Sequence, residues 1–318
     1  MQRRTFLGVG ASAALTYTTA WVSGDTSMVK ASDRTENGNV KEMELGLLIA
    51  PFSAPAETIK RVHDLGFKTC FLSLDGYLGH FTPAAAEELG SLLAKYNVLA
   101  TTVEVVGPQP LKWNFLQGPS TIGLVPRSTR SARIAALVAV SDFAKKLGVP
   151  QVQTHCGFIP EDPADPLYPE TVAAIREVAT HCQANRQRFL METGQETPTT
   201  MARMLRDVAQ PNLGVGLDTA NLILYGKANP VDAVDILGPH VMSVHAKDGR
   251  WPTDPNELGQ EVLIGKGLVD FKQVFAKLKR AGYTGAITIE RETSGPQQID
   301  DVRNEKLYLE HVLAGLQA

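Results

Sequence analysis

Four apolar runs in this chain each stop abruptly on a residue able to hold a metal ion or a proton. Phe189-Leu190-Met191 ends on Glu192, Leu213-Gly214-Val215-Gly216-Leu217 on Asp218, Val241-Met242-Ser243-Val244 on His245, and Ala286-Ile287-Thr288-Ile289 on Glu290. The end residues lie 26, 27 and 45 positions apart, with helical patterns between them. Strands that alternate with helices pair in parallel, because each helix carries the chain back before the next strand begins. In a closed parallel barrel every strand ends at the same face, so polar residues placed where strands stop gather at one mouth. The pattern predicts an enzyme centred on Glu192, Asp218, His245 and Glu290.

The remaining runs complete the count. Glu44 to Ala50, Thr69 to Leu74, Val98 to Val106 and Gln151 to Gly157 read as strands one to four. Helical spacing follows over Pro55–Gly66, Pro83–Tyr96, Ser128–Leu147 and Glu170–Arg188, then from Thr197, over Phe271–Ala281 and over Gln297–Leu313. Residues 249–269 are expected to form a long loop. A second long loop, carrying Pro108, Pro110, Trp113, Gly118 and Pro119, follows strand three and would lie over the mouth. The fold class is α/β, a single (β/α)8 TIM barrel over residues 43–318.

Ahead of it, Arg3-Arg4-Thr5-Phe6-Leu7 and the small, mildly apolar run Gly8 to Val22 resemble a twin-arginine export signal, residues 1–24. The run is too short and too rich in Gly, Ala, Ser and Thr for a comfortable membrane span. Residues 25–42 are polar and unpatterned, a disordered linker. The expected location is the periplasm, with no stable membrane association once the signal is removed. A formal net charge of −3 and no basic patch argue against a nucleic-acid partner. Cys70, Cys156 and Cys182 lack both disulfide and zinc-finger spacing and read as small buried hydrophobes.

Three carboxylates and one imidazole form a mostly oxygen donor set, which suits one Mn, Co, Mg or Fe dication better than a structural zinc, which favours thiolates. Four protein ligands leave two octahedral positions for a substrate bearing adjacent carbonyl and hydroxyl oxygens. Such an ion stabilises the enediolate left when a proton is removed beside a carbonyl. Glu192 and Glu290 arrive from strands five and eight, so one carboxylate can take a proton from one face and the other return it on the opposite face.

These residues carry a resemblance to the sugar phosphate isomerase/epimerase superfamily, the xylose isomerase-like barrels. Met191-Glu192-Thr193-Gly194, Leu217-Asp218-Thr219-Ala220-Asn221, Val244-His245-Ala246-Lys247-Asp248-Gly249, Gly265-Lys266-Gly267 with Val269-Asp270-Phe271, and Ile289-Glu290 match it, and the likeness covers roughly residues 44–315. The resemblance to its ketose 3-epimerases implies that Glu192, Asp218, His245 and Glu290 bind the metal and that the two glutamates exchange the proton. Those epimerases usually carry a histidine where this chain has Asn221. Arg250 falls near a substrate-contacting arginine.

His155 at the end of strand four, Asn221, Lys247, Asp248, Arg250 and Trp113 complete the expected substrate-binding set, with Lys247 and Asp248 alternatively supporting His245. Glu104 sits within strand three, facing either the interior or the rim. Gly265-Lys266-Gly267 lacks the preceding strand and following Ser or Thr of a phosphate loop. The expected function is a divalent-metal-dependent isomerase or epimerase acting on a carbohydrate. A keto-sugar lyase or dehydratase on the same metal site, or a non-catalytic exported sugar-binding barrel, are the alternatives. A homo-oligomer is open.

Overall fold

The computed structural model describes residues 43–316. The export-signal and linker readings, residues 1–24 and 25–42, lie outside them. Eight parallel strands close into a barrel: β1 (Leu45–Ile49), β2 (Thr69–Ser73), β3 (Leu99–Glu104), β4 (Gln151–Thr154), β5 (Arg188–Glu192), β6 (Leu213–Asp218) and β7 (Val241–Ala246) follow in order. The chain then forms a short antiparallel ribbon, β8 (Asp248–Arg250) with β9 (Gln260–Val262), before β10 (Ile287–Ile289) closes the barrel between β7 and β1. The expected (β/α)8 class is what the chain adopts. Among the described residues no helix is long and apolar enough to cross a membrane.

The helices begin where capping chemistry says they should. Thr82, Thr197 and Asn229 each accept a backbone N–H with a side-chain oxygen, and each precedes a proline whose fixed φ suits the first turn. Asp270 does the same for Phe271–Arg280 by accepting from the Gln273 N–H. Strand and helix faces meet in one continuous core that includes Leu47, Leu72, Val103, Phe143, Ile175, Met204, Val244 and Phe275. Cys70, Cys156 and Cys182 are buried within it, as small apolar residues are.

Several boundaries differ from expectation. The helix expected over 170–188 runs from Leu167 to Ala184, because the chain turns through left-handed Arg186 and Arg188 already pairs in β5. The stretch 249–269 is not all loop: Asp248–Arg250 pairs with Gln260–Val262, a match with no apolar alternation to announce it. β4 stops at Thr154, and the chain beyond it lies against the loop after β3. A Cβ on Gly123 would stand 2.1 Å from the backbone carbon of Cys156, and its φ of +74° already calls for glycine.

Candidate metal centre

Where the strands stop, Glu192, Asp218, His245 and Glu290 converge: one ligand atom from each lies within 4.8 Å of the others. The first three come from the ends of β5, β6 and β7, and Glu290 directly follows β10. Threonines fix their relative heights beyond the last strand pairs. Thr193 donates its hydroxyl to the Asp218 carbonyl (3.0 Å) and accepts the Asp218 N–H (2.9 Å). Thr219 does the same between strands β6 and β7, donating to the Lys247 carbonyl (2.6 Å) and accepting its N–H (3.2 Å). The ladder thus continues through side chains one residue past Glu192 and one past Asp218.

Three of the four residues are held from outside. Glu192 accepts from Gln153 Nε2 at 2.9 Å on one oxygen and from Asn221 Nδ2 at 3.2 Å on the other. Gly216 makes room for Gln153, since a Cβ there would stand 2.1 Å from its Oε1. Asp218 Oδ1 accepts the N–H groups of Ala220 and Asn221, at 2.8 and 2.7 Å. The His245 ring stands edge-on to Phe71, with centroids 4.4 Å apart. Asn221 therefore braces Glu192, in place of the histidine that the ketose 3-epimerase pattern would put there.

The inward atoms are left bare. Asp218 Oδ2, both nitrogens of His245 and Glu290 Oε2 are buried without a hydrogen-bond partner. Such groups cost roughly 1–3 kcal/mol each unless something pairs them. An acceptor-rich set of this kind fits a divalent cation, which could take an oxygen from each carboxylate and one nitrogen of His245.

The electrostatics point the same way. Burial pushes the Asp218 carboxyl well above the usual carboxylate range, against the pull of the Lys247 ammonium. Burial also opposes the charges of Glu192 and Glu290, but His155 and His245 hold Glu192 well below that range. Lys247 and His245 bring Glu290 down to about 2. Burial alone would lower His245, yet Glu290 and Glu192 drive it well above the ordinary imidazole value. A divalent cation bound here would supply the positive charge that favours the ionised carboxylates and the neutral imidazole.

Lys247 is buried, its Nζ 2.7 Å from Glu292, 3.7 Å from Glu290 and 3.9 Å from Asp218. His155 sets its Nε2 3.3 Å from Glu192 Oε1 and pairs its other nitrogen with Gln195. Trp113 stands edge-on over His155, centroids 5.0 Å apart and 43% exposed, so its ring is open on one side. Asp248 and Arg250 are placed differently from the expected substrate contacts. The Asp248 carboxylate, itself buried, takes four N–H groups from Gly249, Gly265, Gly267 and Val269, which moors the loop after the ribbon. Arg250 is exposed and reaches only the Lys266 carbonyl at 3.4 Å. Gln153, Gln195 and the two bridging threonines were not legible as site residues, since uncharged polar side chains at strand ends carry no spacing signature. Glu292, two places after Glu290, did offer a carboxylate of matching parity.

The chain matches the xylose isomerase-like TIM barrel family over residues 59–312. Among solved structures it is similar to a xylose isomerase domain protein from Planctomyces limnophilus, with a TM-score of 0.80 at 27% identity, covering 88% of this chain and 99% of that one. It also shares the fold of a D-psicose 3-epimerase from Clostridium cellulolyticum H10, with a TM-score of 0.65 at 16% identity, covering 85% and 99% of the two chains. An inosose dehydratase of Geobacillus thermodenitrificans (strain NG80-2) is 28% identical over 118 residues, 32% of this chain and 38% of that protein. The aligned stretches span between 31% and 38% of the curated relatives' lengths. The barrel, its strand-end carboxylates and the match over most of the chain agree that this protein belongs to the xylose isomerase-like TIM barrel family.

Proposed function

We propose that this protein is a divalent-metal-dependent sugar isomerase or epimerase that moves a proton on a carbon next to a carbonyl. The observation that carries the reading is the convergence of Glu192, Asp218, His245 and Glu290 at the mouth of the barrel, with Asp218 Oδ2, Glu290 Oε2 and the His245 ring lacking hydrogen-bond partners. These four residues would hold the ion, and a bound Mn, Co, Mg or Fe dication would supply the charge that stabilises an enediolate.

The chain's own residues do the rest. Glu192 and Glu290 enter from β5 and from the end of β10, so each can meet a substrate carbon from its own side. Against burial, the positive groups beside them hold both carboxylates ionised, the state a proton acceptor needs, and the same depression weakens them as bases. Lys247 and His155 offer donors to substrate oxygens, and the Trp113 ring offers a face to a sugar ring. The Arg3-Arg4 leader supports export to the periplasm in the same reading, and with it an unphosphorylated substrate, since sugar phosphates are largely cytoplasmic.

A second outcome of the same proton abstraction is loss of water, as in a keto-sugar dehydratase. The similarity to an inosose dehydratase favours keeping it, as does Asn221 in the place of the epimerases' histidine. The two separate cleanly in deuterated water. Isomerisation or epimerisation leaves the product at substrate mass plus deuterium, whereas elimination yields a product lighter by one water. Glu192→Gln and Glu290→Gln should each lower solvent-deuterium incorporation by about 10²-fold or more. Incorporation that persists undiminished in both variants would overturn the assignment of the bases.

A further inference from the structure

Glu192, Asp218 and His245 are each braced by a group outside the cluster, and Glu290 is not. The neighbours of its Oε2 are His245 Nδ1 at 3.1 Å and Lys247 Nζ at 3.7 Å, both members of the site itself. Its N–H makes one last ladder bond to the Ala246 carbonyl (3.1 Å), and residues 291–295 then belong to no strand or helix. The next side chain supplies what is missing. Arg291 has the opposite parity to Glu290 and Glu292. It donates from Nη1 to Glu261 of β9 (2.6 Å) and from Nε to Asp301 on the helix Pro296–Ala314 (3.0 Å). Its carbonyl accepts from Gln298 Nε2 on the same helix (2.8 Å), and Glu261 also accepts the Glu292 N–H (3.3 Å). We propose that Arg291 is a positioning residue, which pins the segment after β10 to the ribbon and the helix and so holds Glu290 at the metal position and Glu292 beside Lys247.

Burial and geometry separate this cluster from an ordinary surface ion pair. The side chains of Arg291, Glu261, Asp301 and Glu305 are 10%, 13%, 4% and 1% exposed, so solvent and salt screen them little. Among the described residues Arg291 is the one Lys or Arg within 4.0 Å of any of these three carboxylates. Its planar N–H groups meet carboxylates from two different elements at once, which a single ammonium cannot reproduce. The connection runs further. Glu305, 3.9 Å from the same Nε, accepts the Ile264 N–H at 3.2 Å, and Ile264 opens the stretch that Asp248 moors. One guanidinium thus joins the end of β10 to the loop that follows β7, and these two paired strands carry Glu290 and His245. Groups behind a metal's own ligands commonly set its affinity in this way.

This inference rests on the metal reading above, and its test separates the two. Mn(II) affinity and melting temperature would be measured on the full chain and on its Arg291→Lys and Glu261→Ala variants, which break the same contact from opposite sides. Each variant should raise the Mn(II) dissociation constant about 10-fold at a temperature where it is fully folded. In a Glu290→Gln chain, Arg291→Lys should change that constant by less than about 2-fold, because the ligand it acts through is gone. Lower melting temperatures with an unchanged dissociation constant would show a purely structural role and overturn the proposal, as would an equal loss of affinity with and without Glu290. If the Glu290→Gln chain binds too weakly to titrate, or one single variant fails to fold, the remaining single variant still decides by its dissociation constant. An unmodified chain that binds no Mn(II) would overturn the metal reading and this proposal together.

Discussion

At the scale of single residues, Lys247 shows most plainly what the site requires of its surroundings. A lysine 2% exposed would normally shed its proton, but Glu290, Asp218 and Glu292 keep its ammonium charged well above the ordinary range despite burial. The dependence is mutual, since those carboxylates have few other cations near them. Removing one member of a buried charge group costs on the order of 3–5 kcal/mol, because the partners stay buried and unpaired. Lys247→Met should therefore lower the melting temperature of the metal-free chain by roughly 10 °C, at about 2–4 °C per kcal/mol for a domain of this size. Saturating Mn(II) should recover much of that loss, because the ion supplies the positive charge the methionine lacks. Calorimetry with and without the metal checks this. An equal drop in both states would mean that Lys247 acts by packing and not by charge.

At the scale of elements, the loop after β3 is held by Asp75 and Arg130 near its ends and by Arg133 across its middle. Arg133, on the helix Arg127–Leu147, is buried and donates to the carbonyls of Gly123 (2.8 Å), Pro108 (3.2 Å), Pro110 (2.9 Å) and Thr121. Loops otherwise run exposed over the surface; here a planar guanidinium reaches both ends of the segment that carries Trp113. Arg133→Met leaves those carbonyls without a donor, at roughly 1–3 kcal/mol for each that stays buried. Limited proteolysis within residues 108–121 should quicken by an order of magnitude or more, while the barrel itself stays folded by circular dichroism. Arg133→Lys should fall between, since an ammonium keeps the charge but not the fork. Cleavage at the unmodified rate in the methionine variant would show that the loop is fixed by its own packing.

Over the whole molecule, what the sequence disclosed followed from how each feature repeats. The parallel barrel and the convergence of Glu192, Asp218, His245 and Glu290 were legible because an apolar run that stops on a carboxylate or imidazole recurs at strand spacing. Glu104 was only half legible: β3 is buried on both sides over Thr102 to Glu104, so it has no alternation from which to assign a face. The ribbon of Asp248–Arg250 with Gln260–Val262 and the mooring role of Asp248 are long-range matches of backbone groups, which side-chain patterns do not record. Glu196 was hidden for a similar reason, as it lies beyond β5 where the fold closes over it. It is 1% exposed, neither oxygen has a hydrogen-bond partner, and burial pushes its carboxyl up to about 8 from an ordinary value of 4.5. The native chain then binds this proton more tightly than the unfolded chain, so its contribution to stability is lost as pH rises from about 4.5 to about 8 and is constant outside that window. Glu196→Gln cannot titrate. The melting-temperature difference between variant and unmodified protein should therefore be flat at low pH, grow through the window in favour of the variant, and level off above about 8. The change across the window should be on the order of a few kcal/mol, and the pH dependence of metal binding, common to both chains, cancels in the difference. Parallel melting curves from pH 5 to pH 8 would show instead that Glu196 keeps its charge in the folded barrel, which would require a cation or a donor beside it.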